Sequence, residues 1–204
     1  MAFSYPLTLP GQLASITITP TSRVGVSASP FTGQQQIYAH QGKFWRLSAA
    51  TPTLDRAEAA AWIAWFQKLN GPEGTFLIGD PAQTAPRGSG VGAPVVDGAS
   101  QTGLTLDTRG WTANESGVLL AGDYIQLGTG SSARLYTNLT DVDADGSGLA
   151  TLDIWPQLRS SPSDGQTIIL NDTVGQFRLA QTQSPWTWRP PTLTEIEFEA
   201  VEAI

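Results

Sequence analysis

Glycine and proline cut this chain into runs too short for most helices. Twenty-one glycines and fourteen prolines are scattered through 204 residues, and the longest stretch that escapes them is Thr53 to Asn70. Punctuation of this density marks many turns between strands. Between the breaks, apolar and small polar residues alternate, the period of a half-buried strand. Leu13 to Thr19 carries Leu13, Ile16 and Ile18, and Arg23 to Ser29 carries Val24, Val26 and Ala28. Gln36 to Ala39 and Lys43 to Ala49, with Phe44, Trp45 and Leu47, continue the series.

The uninterrupted stretch has a different period. Trp62, Trp65, Phe66 and Leu69 recur at three- and four-residue spacing, which places them on one face of a helix. Asp55 and Glu58 have the spacing of a capping box, and Asn70-Gly71-Pro72 supplies a stop. The spacing predicts one amphipathic helix over Asp55–Asn70. Trp62 and Trp65 could form a ligand cage, but at helical spacing they are assigned to the core.

After Thr75-Phe76-Leu77-Ile78, a further strand, the segment from Gly79 to Pro94 is rich in Gly, Pro, Ala and Ser and reads as a linker. Short alternating runs follow: Leu104/Leu106, Tyr124/Ile125/Leu127, Leu135/Tyr136/Leu139 and Leu149/Leu152/Ile154. They suit a small barrel or sandwich. Pro156, Ser160-Ser161-Pro162 and Asp164-Gly165 form a second punctuated boundary, and strands are expected again at Thr167–Leu170, Gln176–Ala180 and Thr192–Val201. One helix and few strands do not close a core in the N-terminal part, so the C-terminal strands are expected to complete it. The expected fold is mainly β with one amphipathic helix. A β-barrel or sandwich-like domain spans 1–86 and 158–204, and a small all-β, OB-like domain (87–157) is inserted into it.

Composition narrows the function. Charged residues make up only 14% of the chain, against roughly 25% in ordinary soluble domains. A charge-poor surface suits large subunit contacts, the alternative being a monomer with a Ser/Thr/Gln/Asn-rich skin. The net charge of −7, with no cluster of Lys or Arg, disfavours nucleic acid as a bound ligand. Absence of cysteine excludes disulfides and thiolate chemistry. No run reaches the length of a membrane-spanning helix, and Met1-Ala2-Phe3-Ser4-Tyr5-Pro6 lacks the features of a signal peptide, so a cytoplasmic origin is expected.

The candidate chemistry is thin. Asp141, Asp143, Asp145 and Gly146 match half of a calcium loop, but Leu152 stands where the bidentate carboxylate belongs, and the segment reads as a hairpin tip. His40, the single histidine, has no nucleophile elbow to serve. Gly88, Gly90 and Gly92 lack the lysine of a phosphate loop. Glu195, Glu197 and Glu199 alternate with Ile196, Phe198 and Ala200, so the three carboxylates share one strand face. A single row lacks the opposed pair of a glycosidase. No catalytic residue, cofactor or metal is expected.

The order of motifs carries a resemblance. Pro10-Gly11-Gln12 precedes the first strand. After the helix come Gly74-Thr75-Phe76-Leu77-Ile78-Gly79-Asp80-Pro81 and Pro86-Arg87-Gly88. Farther on stand Ile154-Trp155-Pro156-Gln157-Leu158-Arg159, Gly175-Gln176-Phe177-Arg178-Leu179 and the closing Glu195–Glu202 run. In this order the chain resembles the distal tail proteins of long-tailed bacteriophages. The resemblance implies a structural virion protein at the tail tip, made in the host cytoplasm. Its hub domain would form a homohexameric ring between tail tube and tail-tip proteins, with the second β domain facing outward. DNA would pass through the lumen without specific binding, and the Glu195, Glu197, Glu199 row is the candidate lumen-facing surface. The rival reading is a carbohydrate-binding module of a phage tail, with Trp111, Trp186 and Trp188 as sugar-stacking platforms.

Overall fold

The computed structural model describes residues 3–183, 185–189 and 193–204. Its strands run β1 (Ser15–Thr21), β2 (Val24–Ala28), β3 (Gln35–Ala39), β4 (Phe44–Ala50), β5 (Phe76–Ile78), β6 (Gly92–Val96), β7 (Thr105–Trp111), β8 (Tyr124–Leu127), β9 (Arg134–Asn138), β10 (Leu149–Trp155), β11 (Ile168–Ile169), β12 (Gly175–Leu179), β13 (Thr187–Arg189), β14 (Leu193–Glu195) and β15 (Glu197–Glu202). The helix α1 (Arg56–Leu69) lies between β4 and β5. The chain is mainly β with one α-helix among the described residues, the expected class.

Helix α1 forms where its caps require. The Asp55 carboxylate accepts the Glu58 N–H at 2.8 Å, and the Glu58 carboxylate accepts the Asp55 N–H at 3.1 Å. Both bonds satisfy donors that the first turn leaves without partners. At the other end Asn70 takes the left-handed conformation, φ 51°, and stops the helix. Trp62, Trp65, Phe66 and Leu69 face inward, as their spacing predicts.

They pack against an antiparallel sheet of order β1-β4-β15-β12-β5. Strands from both ends of the chain therefore share one sheet. Trp65 meets Phe66 and Phe76 edge-on at 5.0 Å, and Phe66 meets Phe198 of β15 at 5.4 Å. Truncating an aromatic at such a position costs about 3–5 kcal/mol.

The middle of the chain builds a second sheet, β11-β8-β9-β10-β7-β6, around Leu106, Leu119, Ile125, Leu152 and Ile154. Its outer strands approach each other: Val95 bridges Thr167, and the Val96 N–H donates to the Gln166 carbonyl at 2.9 Å. The sheet is a nearly closed barrel. Two features of this region depart from expectation. Strand β6 begins at Gly92, inside the segment up to Pro94 expected to be linker. A Cβ on Gly92 would lie 2.5 Å from the Gly110 carbonyl, so the close crossing of β6 and β7 requires glycine there, and the same glycine disguises the strand. The segment Thr167–Leu170, expected to belong with the terminal strands, instead contributes β11, which pairs with β8. The barrel thus draws on chain beyond the expected boundary at 157.

The two sheets are joined by buried polar contacts. The Arg159 Nε donates to Glu202 Oε1 at 2.9 Å and its Nη2 to Glu202 Oε2 at 2.5 Å, with 8% and 3% of the two side chains exposed. Arg159 Nη2 also donates to the Lys43 carbonyl at 2.6 Å, and the Trp45 N–H donates to Glu202 Oε2 at 3.1 Å. Trp45 Nε1 reaches across to the Leu135 carbonyl at 2.9 Å, while its rings lie edge-on to Trp155 at 4.4 Å. Removing one member of such a pair leaves an uncompensated buried charge, at a cost of about 3–5 kcal/mol. In chemical denaturation, Arg159→Met and Glu202→Leu should each lose about that much, and the double variant should recover most of it. Additive losses in the double variant would show that the two side chains act independently.

Candidate functional site

Strand β15 presents two faces because its side chains alternate. Ile196, Phe198 and Ala200 are buried in the core, while Glu195, Glu197 and Glu199 are exposed. The single strand expected over Thr192–Val201 is instead divided, because β14 ends at Glu195 and pairs with β13 while β15 begins at Glu197 within the five-stranded sheet, so the row spans two strands. Glu197 stands opposite Ala50 of β4, and Glu199 opposite Ser48. The Thr53 hydroxyl reaches Glu195 Oε1 at 3.5 Å, the long limit of a hydrogen bond.

Glu197 and Glu199 line a shallow groove of about 230 Å³ with Ser48, Gln181, Gln183 and Pro185. Its polar lining consists of carboxylates, primary amides and a hydroxyl. The first are acceptors and the others both donate and accept, so the groove suits a neutral polyhydroxylated or amide surface and opposes a phosphate. Trp186, half exposed, follows Pro185 in the chain.

The rest of the indole set divides. Trp111 is 4% exposed, and its Nε1 donates to the Thr108 hydroxyl at 2.8 Å, so it is a core residue of the barrel and offers no stacking platform. The side chain of Trp188 lies outside the described residues. Trp62 and Trp65 are buried, 2% and 5% exposed, as the helical spacing indicates.

The calcium-loop aspartates do not converge. Asp141 accepts the Ala121 N–H at 2.9 Å and Asp143 the Gly117 N–H at 2.7 Å. Asp145 accepts the Ser147 and Leu149 N–H groups at 2.7 and 2.8 Å. Each carboxylate organises a different stretch of backbone, so they serve the loop leading into β10. His40 is exposed at the end of β3.

Two acidic groups that the pattern of the sequence did not single out are structural. Asp123, whose side chain is fully buried, accepts the Arg87 and Gly88 N–H groups at 3.0 Å each and the Leu120 N–H at 2.9 Å. Burial pushes its pKa up, but the N–H groups of Leu120, Arg87 and Gly88 outweigh burial and hold it below the usual carboxylate value. At the barrel surface, Arg109 bridges Asp97 at 2.5 Å and Asp164 at 2.6 Å, and its guanidinium holds the Asp164 carboxyl low. Nothing near Arg87 in the sequence points to Asp123, and only the fold brings positions 87 and 123 together.

Because the folded pKa of Asp123 lies below its unfolded value of about 3.9, its stabilisation is present above that value. It is lost as pH falls through the folded pKa. Asp123→Asn turns an amide N–H₂ toward backbone donors and should cost about 1–3 kcal/mol at pH 7 in urea denaturation. That penalty should shrink below about pH 4. A penalty independent of pH would show that the charge of Asp123 contributes nothing.

No protein-family model matches this chain, and no curated protein sequence matches it.

Proposed function

We propose that this chain is a structural virion protein of the distal tail kind, forming a homohexameric hub ring that links tail tube to tail tip and lets DNA pass. The observation that carries the reading is the two-faced stretch from Glu195 to Glu202. Its inner face holds the core, while Glu195, Glu197 and Glu199 are exposed on the outer face. A carboxylate-lined channel repels phosphate, so DNA slides past without being captured. The charge-poor composition supports extensive contacts with neighbouring subunits. On this reading the protein has no catalytic role, and its partners are its own copies, the tube protein and the tail-tip proteins.

Charge reversal tests the assignment of the row. Glu195→Lys/Glu197→Lys/Glu199→Lys should leave the subunit folded, since all three carboxylates are exposed. Tails assembled with that variant should retain DNA and eject it poorly, most clearly at low salt, where charges act farthest. Normal ejection at low salt would remove the row from the lumen.

One observation favours a carbohydrate-binding second reading. Half-exposed Trp186 follows in the chain a groove whose lining can hydrogen-bond hydroxyls. On that reading, Trp186→Ala should abolish binding on a glycan array. An array on which the unaltered protein binds nothing would end it.

A further inference from the structure

Of eleven basic and eighteen acidic side chains in the chain, the first 42 residues hold one, Arg23. Within that stretch β2 and β3 form a two-stranded ribbon whose strands, among the described residues, pair only with each other. The register sets Val24 opposite Ala39, Val26 opposite Ile37 and Ala28 opposite Gln35. Opposed residues share a face, so Val24, Val26, Ala28, Ile37 and Ala39 make one apolar surface. It faces solvent: Val26 is 61% exposed, Ile37 64%, and Phe31 at the tip 95%. No Asp, Glu, Lys or Arg lies between Val24 and Ala39. A lone ribbon of two strands is marginal in water, and an exposed apolar face without guarding charges invites association.

A complementary surface lies on the same molecule but at the other edge of the five-stranded sheet. The ribbon extends from β1 and β4, at one edge, whereas a groove of about 630 Å³ borders β5, at the other. Leu9, Leu13, Leu77 and Val174, all half-buried, line it, and Asp80 and Asp172 stand among the lining residues. The ribbon's base carries the opposite charge, Arg23 before β2 and Lys43 after β3. None of these four ionic residues belongs to the ion pairs formed among the described residues. Apolar face thus matches apolar groove, and a basic base matches an acidic rim.

We propose that the β2–β3 ribbon of one copy lies in the β5-edge groove of the next copy. The contact is head-to-tail, because each copy uses two different surfaces, and contacts of this type close into rings or run on as filaments. It deepens the ring-forming reading and rests on that reading for closure, though not for the contact itself.

Because the chain lacks cysteine, introduced thiols are unique. Val26→Cys on the ribbon and Thr84→Cys at the exposed groove rim are made separately and mixed at high concentration with a short bismaleimide. The mixture should yield a covalent dimer several-fold in excess of either variant alone. Adding Ile37→Asp to the ribbon variant should abolish it while the thermal unfolding midpoint stays unchanged. Equal linking in Val26→Cys alone would mean ribbon on ribbon and overturn the proposal. Failure to link in the mixture would also overturn it. Closure is read separately, by placing both cysteines on one chain. A ladder ending at six supports the hexamer, whereas an unending ladder sinks the ring but keeps the contact. A hexamer by sedimentation without ribbon-to-rim links would sink the contact and leave the ring.

Discussion

Arg159 and Glu202 sit where two sheets meet, with almost none of either side chain in water. Burying an isolated ion costs several kcal/mol, so neither residue is tolerable there alone. Their bidentate geometry resolves this, and the remaining capacity of each is also used. Glu202 takes the Trp45 N–H, and Arg159 gives a further bond to the Lys43 carbonyl. Two residues of β15 and of the loop after β10 therefore fix the start of β4. Because Arg159 follows the barrel's β10 and Glu202 ends a strand of the other sheet, the pair demands one relative placement of the two.

Around this node the contacts are directional. Gln176 donates to the Thr75 hydroxyl at 2.8 Å and accepts from Arg134 at 3.0 Å, tying β12 to both sheets. A Cβ on Gly175 would stand 3.0 Å from that of Leu135, so the strand passes the barrel closely enough that a side chain there would displace its neighbour. Hydrogen bonds of fixed length and ring contacts of fixed angle have one good arrangement, while apolar packing alone has many. The barrel consequently behaves as an outgrowth of the sheet with a set orientation. These contacts fix the faces of the two units relative to each other.

Sequence carried the elements whose signal is local. The capping box, the helical spacing of Trp62, Trp65, Phe66 and Leu69, and the alternation of β15 depend on neighbours within a few positions, and each formed as expected. What escaped depends on distant partners. The start of strand β6 looked like linker because the closeness of β7 demands Gly92. Segment Thr167–Leu170 is a short apolar run like many strands, and nothing in it states which sheet it joins. Trp111 read as a platform because its acceptor, Thr108, could not be distinguished from any other nearby hydroxyl. The acids divide in the same way. The exposure of Glu195, Glu197 and Glu199 follows from alternation, whereas burial of Asp123 follows from a loop arriving from position 87.

Glu202 shows where the periodic rule yields to tertiary structure. It continues the inward series of Ile196, Phe198 and Ala200, so alternation alone puts it inside. A charged residue at an inward position is a demand for a buried cation, and Arg159 in the Gln157-Leu158-Arg159 run supplies it. The stretch from Glu195 to Glu202 thus carries three kinds of side chain by position alone: apolar ones inward for the core, carboxylates outward at the surface, and a terminal carboxylate inward for the junction. The first and third are constrained by packing and desolvation, so they tolerate little change. The outward row packs against no core, so selection can tune its charge without disturbing the fold. That separation lets a rigid, charge-poor body change what its surface attracts or repels while its architecture stays fixed.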